Sequence, residues 1–107
     1  MFLLLDPTAR PVVAHRGNSA HAPEDTLESL RQGMALGADA IEFDVRLTRD
    51  GRVVVIHDPT VDRTTSGTGA VANMGLTELQ SLDAGYHFTG DGGRSFPWRG
   101  RGIAIST

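Results

Sequence analysis

The chain has 107 residues, of which 13 are acidic and 10 are basic, and its formal net charge is -3 at pH 7. A nucleic-acid-binding surface needs clustered positive charge, so this balance argues against that class of protein. The absence of cysteine excludes disulfide scaffolds, thiolate zinc sites and cysteine nucleophiles. A complete (β/α)8 barrel is excluded as well, because it needs roughly 200 residues or more.

Neither a signal peptide nor a membrane span is predicted. The apolar run at residues 1–5 is short, whereas a signal peptide needs an apolar core of about 7 to 15 residues. No segment approaches the roughly 20 apolar residues of a membrane-spanning helix. We therefore expect a cytoplasmic protein without stable membrane insertion.

The first predicted elements are a strand and a helix. Residues 11–15 form an apolar, β-branched run that predicts a buried strand. A helix is predicted over 26–36, with Asp25 and Glu28 as its capping box and Gly37 just past its end. The apolar stripe of this helix consists of Leu27, Leu30 and Met34.

A second strand is predicted over residues 40–47, where apolar and polar side chains alternate strictly. One side carries the apolar residues Ile41, Phe43, Val45 and Leu47. The other side carries Glu42, Asp44 and Arg46. The element order up to this point is β-α-β.

A third apolar run at residues 53–56 follows after Asp50-Gly51, which is a strong hairpin signal between two strands. A two-residue loop there would place Asp44 directly opposite His57. A parallel crossover needs about a dozen residues, so a direct connection without a helix is expected, whichever way the strands run.

The rest of the chain is richer in Thr, Ser and Gly. It contains one short helical segment at 77–84. Residues 103–105 form a last apolar run, for which the sequence identifies no partner.

Glu42 and Asp44 are the strongest candidates for metal ligands. On a strand, residues i and i+2 project from one face about 7 Å apart, close enough to bind one ion. A solvent-facing polar side is equally compatible with the alternation. The β-α-β context favours a concave interior, where two carboxylates repel unless a cation lies between them. Oxygen ligands favour Mg2+ or Ca2+.

Two histidines each end an apolar strand. His15 and His57 therefore lie at carboxyl ends of strands, where α/β folds gather catalytic groups. Because imidazole titrates near neutrality, one histidine can accept a proton while the other donates one. Arg16 is a candidate for neutralising an anionic oxygen of a substrate. His21 and His87 lie in polar stretches and are expected at the surface.

Four motifs in a fixed order resemble the glycerophosphodiester phosphodiesterase family. They lie at residues 13–17, 22–26, 41–45 and 54–60, and the resemblance continues through 62–69 and 76–85. One departure is mild: the family usually has Asn where Asp25 stands.

The resemblance implies a metal-dependent hydrolase with a TIM-type barrel. It would convert glycerophosphodiesters to glycerol 3-phosphate and an alcohol, using Mg2+ or Ca2+. By match to the motifs, Glu42 and Asp44 would be metal ligands, His15 the general base and His57 the general acid, with Arg16 near the phosphate. The family's third acidic ligand lies in a later Glu-x-Lys motif that these 107 residues lack.

Given this resemblance, the length of 107 residues suits a part of such a barrel rather than a different fold. We expect the amino-terminal portion of a (β/α)8 barrel, with the first barrel strands and helix in residues 1–59 and an insertion-like, loop-rich segment in 60–107. Self-association, or the missing carboxy-terminal part of the barrel, would complete the fold. Two alternatives stay open: a non-catalytic fragment or binding module, and a related phospholipase D-like activity on lysolipids.

Overall fold

The computed structural model describes Thr8 and residues 10–107. The apolar run at residues 1–5 lies outside this part of the chain. The regular elements are short and follow the order β1 (Val13–His15), α1 (Leu27–Ala35), β2 (Ala40–Glu42), β3 (Val45–Leu47), β4 (Val53–Val55), a 3-10 turn (Val71–Asn73) and α2 (Leu76–Gln80). No helix among these residues is long and apolar enough to cross a membrane.

Strands β1 and β2 pair in parallel, with Val13 opposite Ala40 and His15 opposite Glu42. Helix α1 makes the crossover between them, which confirms the predicted β-α-β order. The expected burial of β1 is wrong, because Val13 is 46% exposed. Among the described residues β1 pairs only with β2, and the side chains of Val12 and Val13 stay exposed.

The ends of α1 match the prediction at one terminus and correct it at the other. Gly37 has a φ of +85°, and its N–H bonds to Met34 while that of Ala38 bonds to Gly33, which is a Schellman ending. At the start, the N-cap is Thr26, whose hydroxyl accepts from the Ser29 N–H. The predicted capping box was therefore wrong by one residue.

The face of α1 that packs against β1 is made of small residues. Ser29 and Gly33 are the buried residues of the helix, and a Cβ on Gly33 would lie 2.9 Å from the Cβ of Ala14. The backbones can approach this closely only because no larger side chain separates them. Of the predicted apolar stripe, Leu27 and Met34 are 44% and 65% exposed, so the stripe is not the packing face.

The predicted second strand is broken at Phe43–Asp44, and its last part, β3, pairs antiparallel with β4. The hairpin at Asp50-Gly51 is confirmed, but its loop has three residues rather than two, because Thr48 and Arg52 close it. The register therefore shifts by one: the Ile56 N–H bonds to the Asp44 carbonyl at 3.0 Å. Asp44 lies opposite Ile56, not His57.

A hydrophobic core lies within residues 54–105. Its buried members are Val54, Ile56, Val61, Val71, Leu79, Ala84, Ile103 and Ile105. The last apolar run thus has partners that the sequence did not reveal: the Ala84 N–H donates to the Ile103 carbonyl, and Val55 bridges to Ser106. Helix α2 is shorter than the predicted 77–84 and buries Leu79.

A set of apolar side chains stays exposed. It comprises Val12, Val13, Leu27, Met34, Leu36, Phe43, Val45, Leu47 and Val53. All of them belong to the β1-α1-β2 unit, the β2–β3 junction or the outer face of the hairpin. The hydrophobic core includes β4 through Val54 but no residue of β1, β2 or β3, which leaves these apolar side chains exposed.

Candidate active site

His15 and Arg16 stand together where β1 ends. The Arg16 N–H continues the pairing with β2 by donating to the Glu42 carbonyl at 2.8 Å. Arg16 has a φ of 58°, a left-handed conformation that a long side chain rarely adopts. This turn keeps the Arg16 side chain at the end of the strand, where it is 21% exposed. Such strain commonly accumulates at functional sites.

Glu42 and Asp44 face these two residues from the end of β2 and the break that follows it. Nε2 of His15 lies 3.5 Å from Oε2 of Glu42, and Nε of Arg16 lies 3.6 Å from Oδ2 of Asp44. One oxygen of each carboxylate, Oε1 of Glu42 and Oδ2 of Asp44, is buried without a hydrogen-bond partner. Burying an unsatisfied carboxylate oxygen is costly unless a cation balances it.

Asp25 is a third buried carboxylate that the sequence analysis interpreted only as a helix cap. It is 3% exposed, and neither of its carboxylate oxygens has a hydrogen-bond partner. Its φ of 59° turns it out of the helix, which begins after Thr26. Burial, together with the nearby charge of Asp44, raises the pKa of Asp25 to about 7. Asp25 and Asp44 therefore repel each other unless one of them is protonated or a cation lies between them.

His57 follows β4 and is held by its neighbour. Its Nδ1 lies 2.7 Å from Oδ1 of Asp58, and its carbonyl accepts from Nε of Arg46 at 2.8 Å. An Nδ1–H donated to a carboxylate fixes the tautomer and leaves Nε2 to exchange a proton. The hydrogen bonds from Arg63 and His57 hold the pKa of Asp58 well below its usual range. Asp58 is therefore an ionised anchor for the ring.

Sequence reasoning also missed Arg63, together with the two carboxylates that it joins, Glu24 and Asp58. Its guanidinium bonds to both oxygens of Asp58 and to both oxygens of Glu24. Glu24 also accepts from Nη1 of Arg16 at 3.1 Å. Burial raises the pKa of Glu24, but Arg63 and Arg16 outweigh it, so the net shift is downward. The only sequence signal for this network was that Glu24, Asp58 and Arg63 lie inside the family-like motifs.

The structure brings four of the five predicted site residues together at the ends of β1 and β2 and places the fifth, His57, apart from them. His15 contacts Glu42, and Arg16 contacts Asp44. His57 joins them indirectly, through Asp58, Arg63 and Glu24. His21 and His87 lie exposed outside both groups, which confirms their predicted surface positions.

The donor set fits a hard divalent cation. Glu42 and Asp44 offer carboxylate oxygens, two of them buried and unsatisfied, and oxygen is what Mg2+ and Ca2+ prefer. Within residues 10–107, however, no cluster of three His, Asp or Glu side chains has the geometry to hold a metal. Of a cation's coordination shell, these two carboxylates would therefore supply only a part, and water or further protein groups would have to complete it.

Three comparisons with known proteins agree on one family. The model of the glycerophosphoryl diester phosphodiesterase family matches residues 15–107. A glycerophosphodiester phosphodiesterase from Caldanaerobacter subterraneus subsp. tengcongensis is 56% identical over 77 residues, which is 72% of this chain and 32% of the relative.

The solved structures that resemble this fold carry similar names. One is the glycerophosphoryl diester phosphodiesterase domain of a Mycobacterium tuberculosis protein, with a TM-score of 0.86 and 32% identity over 91% of this chain and 36% of that one. Another is an Oleispira antarctica phosphodiesterase in complex with the product sn-glycerol 3-phosphate, with a TM-score of 0.76 and 39% identity over 92% of this chain and 36% of that one. The chain thus spans about a third of the length of these relatives.

Proposed function

The chain belongs to the glycerophosphoryl diester phosphodiesterase family, and from this we propose that it supplies the catalytic histidines and part of the metal site of an enzyme that hydrolyses glycerophosphodiesters. The products would be sn-glycerol 3-phosphate and an alcohol. The fold agrees with this proposal, because it is the amino-terminal portion of a (β/α)8 barrel of that family. In such barrels the carboxyl ends of the strands carry the chemistry.

The observation that supports the proposal most strongly is the pairing at the end of β1 and β2. His15 contacts Glu42 and Arg16 contacts Asp44, while one oxygen of each carboxylate is buried without a partner. An imidazole, a guanidinium and unsatisfied carboxylates in one place suit a phosphodiester, which is anionic and needs both charge neutralisation and proton transfer.

The protein groups divide the proton transfers between them. His15 takes the proton of the attacking oxygen as a new P–O bond forms. His57 acts as the acid in its imidazolium form: Nδ1–H stays bonded to Asp58, and the proton on Nε2 passes to the alcohol oxygen as the old P–O bond breaks. Arg16 offers N–H groups to the phosphate oxygens and holds the diester in place. The cation bound by Glu42 and Asp44 would supply Lewis-acid stabilisation of the charge on phosphorus-bound oxygens.

The test is turnover of glycerophosphocholine by the natural protein at its full length, followed by the release of sn-glycerol 3-phosphate. We expect turnover with Mg2+ or Ca2+, its loss with EDTA, and its loss in Glu42→Gln. Glu78→Gln, which changes a carboxylate in α2 outside the site, is the matched control and should keep full activity. Turnover that survived both EDTA and Glu42→Gln would contradict the proposed metal site. No turnover under any of these conditions would contradict the proposed substrate class.

A further inference from the structure

Arg63 occupies an unusual position between two carboxylates. One edge of its guanidinium donates to Asp58, with Nε 2.8 Å from Oδ2 and Nη2 3.0 Å from Oδ1. The other edge donates to Glu24, with Nη1 2.7 Å from Oε1 and Nη2 3.0 Å from Oε2. A guanidinium can form two such bidentate pairs at once, because its five N–H donors lie in one plane.

Each of these carboxylates holds a residue of the proposed reaction. Oδ1 of Asp58 is 2.7 Å from Nδ1 of His57. Oε2 of Glu24 is 3.1 Å from Nη1 of Arg16. The contacts thus form one continuous line from Arg16 to His57, with Arg63 at its centre. Arg16 follows β1 and His57 follows β4, so the line joins the two separate sheets.

Arg63 is only half-buried, with its side chain 50% exposed, whereas Glu24 and Asp58 are 17% and 22% exposed. An exposed ion pair contributes little by itself. The Arg63 ion pairs matter through their geometry, because two bidentate pairs restrict the orientation of both carboxylates. Each carboxylate in turn makes one further bond to a site residue. A carboxylate that orients a histidine in this way is a recurrent device for setting its tautomer and ring plane.

We propose that Arg63 is a positioning residue of the phosphodiester reaction, which fixes the His57 ring and the Arg16 guanidinium relative to each other through Asp58 and Glu24. This inference rests on the proposed function, because it assigns a role within the same site. Arg63 acts through other residues and transfers no proton itself. Lysine cannot replace it, since a single ammonium group cannot form two bidentate pairs.

A direct contact with substrate is the competing role for Arg63. An open cavity of about 270 Å³ borders Arg63 and Glu24, and His87 and Phe88 line its far side. If Arg63 bound the substrate from this cavity, its loss would raise KM. If it positions His57 and Arg16, its loss lowers kcat, because misplaced catalytic groups slow the chemical step.

The kinetic test compares Arg63→Lys and Asp58→Asn with wild type in the natural full-length protein. We expect each variant to lower kcat by about 100-fold while KM changes by less than about threefold. The double variant should lose little more than either single one, because both changes break the same line of contacts. Arg49→Lys is the matched control, since the Arg49 side chain donates to the Asn73 carbonyl, away from the site. An unchanged kcat in Arg63→Lys, or a rise in KM alone, would overturn the proposal.

A measurement without substrate separates this proposal from the proposed function. The 15N and 1H shifts of the His57 ring should show an Nδ1-protonated, hydrogen-bonded tautomer in wild type and in Arg49→Lys. In Arg63→Lys we expect a mixture of tautomers, with the thermal midpoint recorded alongside to show that the variant is folded. An unaltered His57 spectrum in folded Arg63→Lys would reject the positioning role, whether or not glycerophosphocholine is hydrolysed. The expected spectra together with no hydrolysis would reject the substrate class alone.

Discussion

The two parts of this chain, residues 10–44 and residues 45–107, are stabilised in different ways. Among the described residues before 45, the buried hydrophobic set contains only Ala22, whereas residues 45–107 contribute all its other members. The first part instead buries Asp25, Thr26 and Ser29. It contacts the second part through the backbone bond from Ile56 to the Asp44 carbonyl and through charged groups, as in the bonds between Glu24 and Arg63.

This difference shows how the site depends on both parts. The second part has the core that fixes β4, and therefore His57, by hydrophobic burial, the dominant favourable term in folding. The first part contributes His15, Arg16 and Glu42 on short elements with exposed apolar faces. Its placement relative to His57 therefore relies on directional ion pairs, which are sensitive to pH and to single substitutions.

The largest expected effect comes from removing a histidine from either part. His15→Ala and His57→Ala should each lower kcat on glycerophosphocholine by roughly 1,000-fold, the range of general acid or base catalysis. His21→Ala is the control, because His21 is exposed outside the group of site residues and does not line the cavity beside Arg63. Steady-state kinetics of the natural full-length protein would check this, and a loss confined to one of the two histidines would show that only one part of the site is catalytic.

Metal affinity should distinguish the first part from the second. Asp44→Asn removes a charged oxygen donor, so the concentration of Mg2+ or Ca2+ that gives half-maximal activity should rise by about 100-fold. Asp83→Asn in the second part should leave that concentration unchanged. Equal effects of the two substitutions would place the cation away from the end of β2.

Truncating a core side chain of the second part should lower the free energy of unfolding far more than truncating an exposed apolar side chain of the first part. Leu79 is fully buried, whereas Leu36 is 73% exposed. In the 107-residue chain, Leu79→Ala should lower the free energy of unfolding by about 3 kcal/mol, and Leu36→Ala by less than about 0.5 kcal/mol. Urea unfolding measures both. A large loss in Leu36→Ala would mean that another surface covers this leucine.

Acidification should produce a smaller loss of folding stability. The pKa values of Glu24 and Asp58 are lowered, Glu24 by Arg63 and Arg16 against the effect of burial, and Asp58 by Arg63 and His57. The stability they supply is therefore present above their ordinary pKa values, near 4, and is lost as the pH falls below them.

Arg63→Lys tests this contribution. The variant should be less stable than wild type at pH 6, and the gap should narrow as the pH falls from about 5 to 2, followed by urea unfolding at each pH. Asp25, whose raised pKa makes stability fall as the pH rises towards 7, is present in both proteins, so its contribution cancels in the difference. A gap that stayed constant with pH would show that these carboxylates are not coupled to Arg63.

The smallest effect is local to the second part. Hydrogen bonds from Ser95 and Thr89 lower the pKa of Asp91 to about 2. The loop that it organises, residues 89–95, should therefore stay ordered until the pH falls through that value. The carboxyl carbon shift of Asp91 in an NMR pH titration checks this, and a midpoint near 4 would contradict the hydrogen bonds.

The local patterns of the sequence predicted most elements of the fold. Alternation, capping residues and the Asp-Gly signal predicted the β-α-β order and the hairpin, because each depends on neighbouring residues. The register of the hairpin was missed because Asp-Gly suits loops of two and of three residues. Here Thr48 favours the longer loop, since its hydroxyl bonds to Asp50 and accepts from the Arg52 N–H.

The sequence could indicate candidate site residues that lie within motifs, but it could not indicate contacts between residues that are distant along the chain. His15, Arg16, Glu42, Asp44 and His57 all lie at strand ends, which the pattern indicates. Arg63 and Glu24 are 39 residues apart, and no periodicity relates them. Asp25 looked like a cap because Asp is among the residues most favoured at N-caps, ahead of the Thr that follows it. The division at residue 59, the identity of the cation and the cytoplasmic location stay predictions.

The central claim is that the carboxylates at the end of β2 hold the cation beside the catalytic histidines. Anomalous diffraction from Mn2+ bound to crystals of the natural full-length protein tests it most directly. The account predicts a single strong peak within about 2.5 Å of carboxylate oxygens of both Glu42 and Asp44. A peak that touches neither carboxylate, in crystals of an active enzyme, would contradict it.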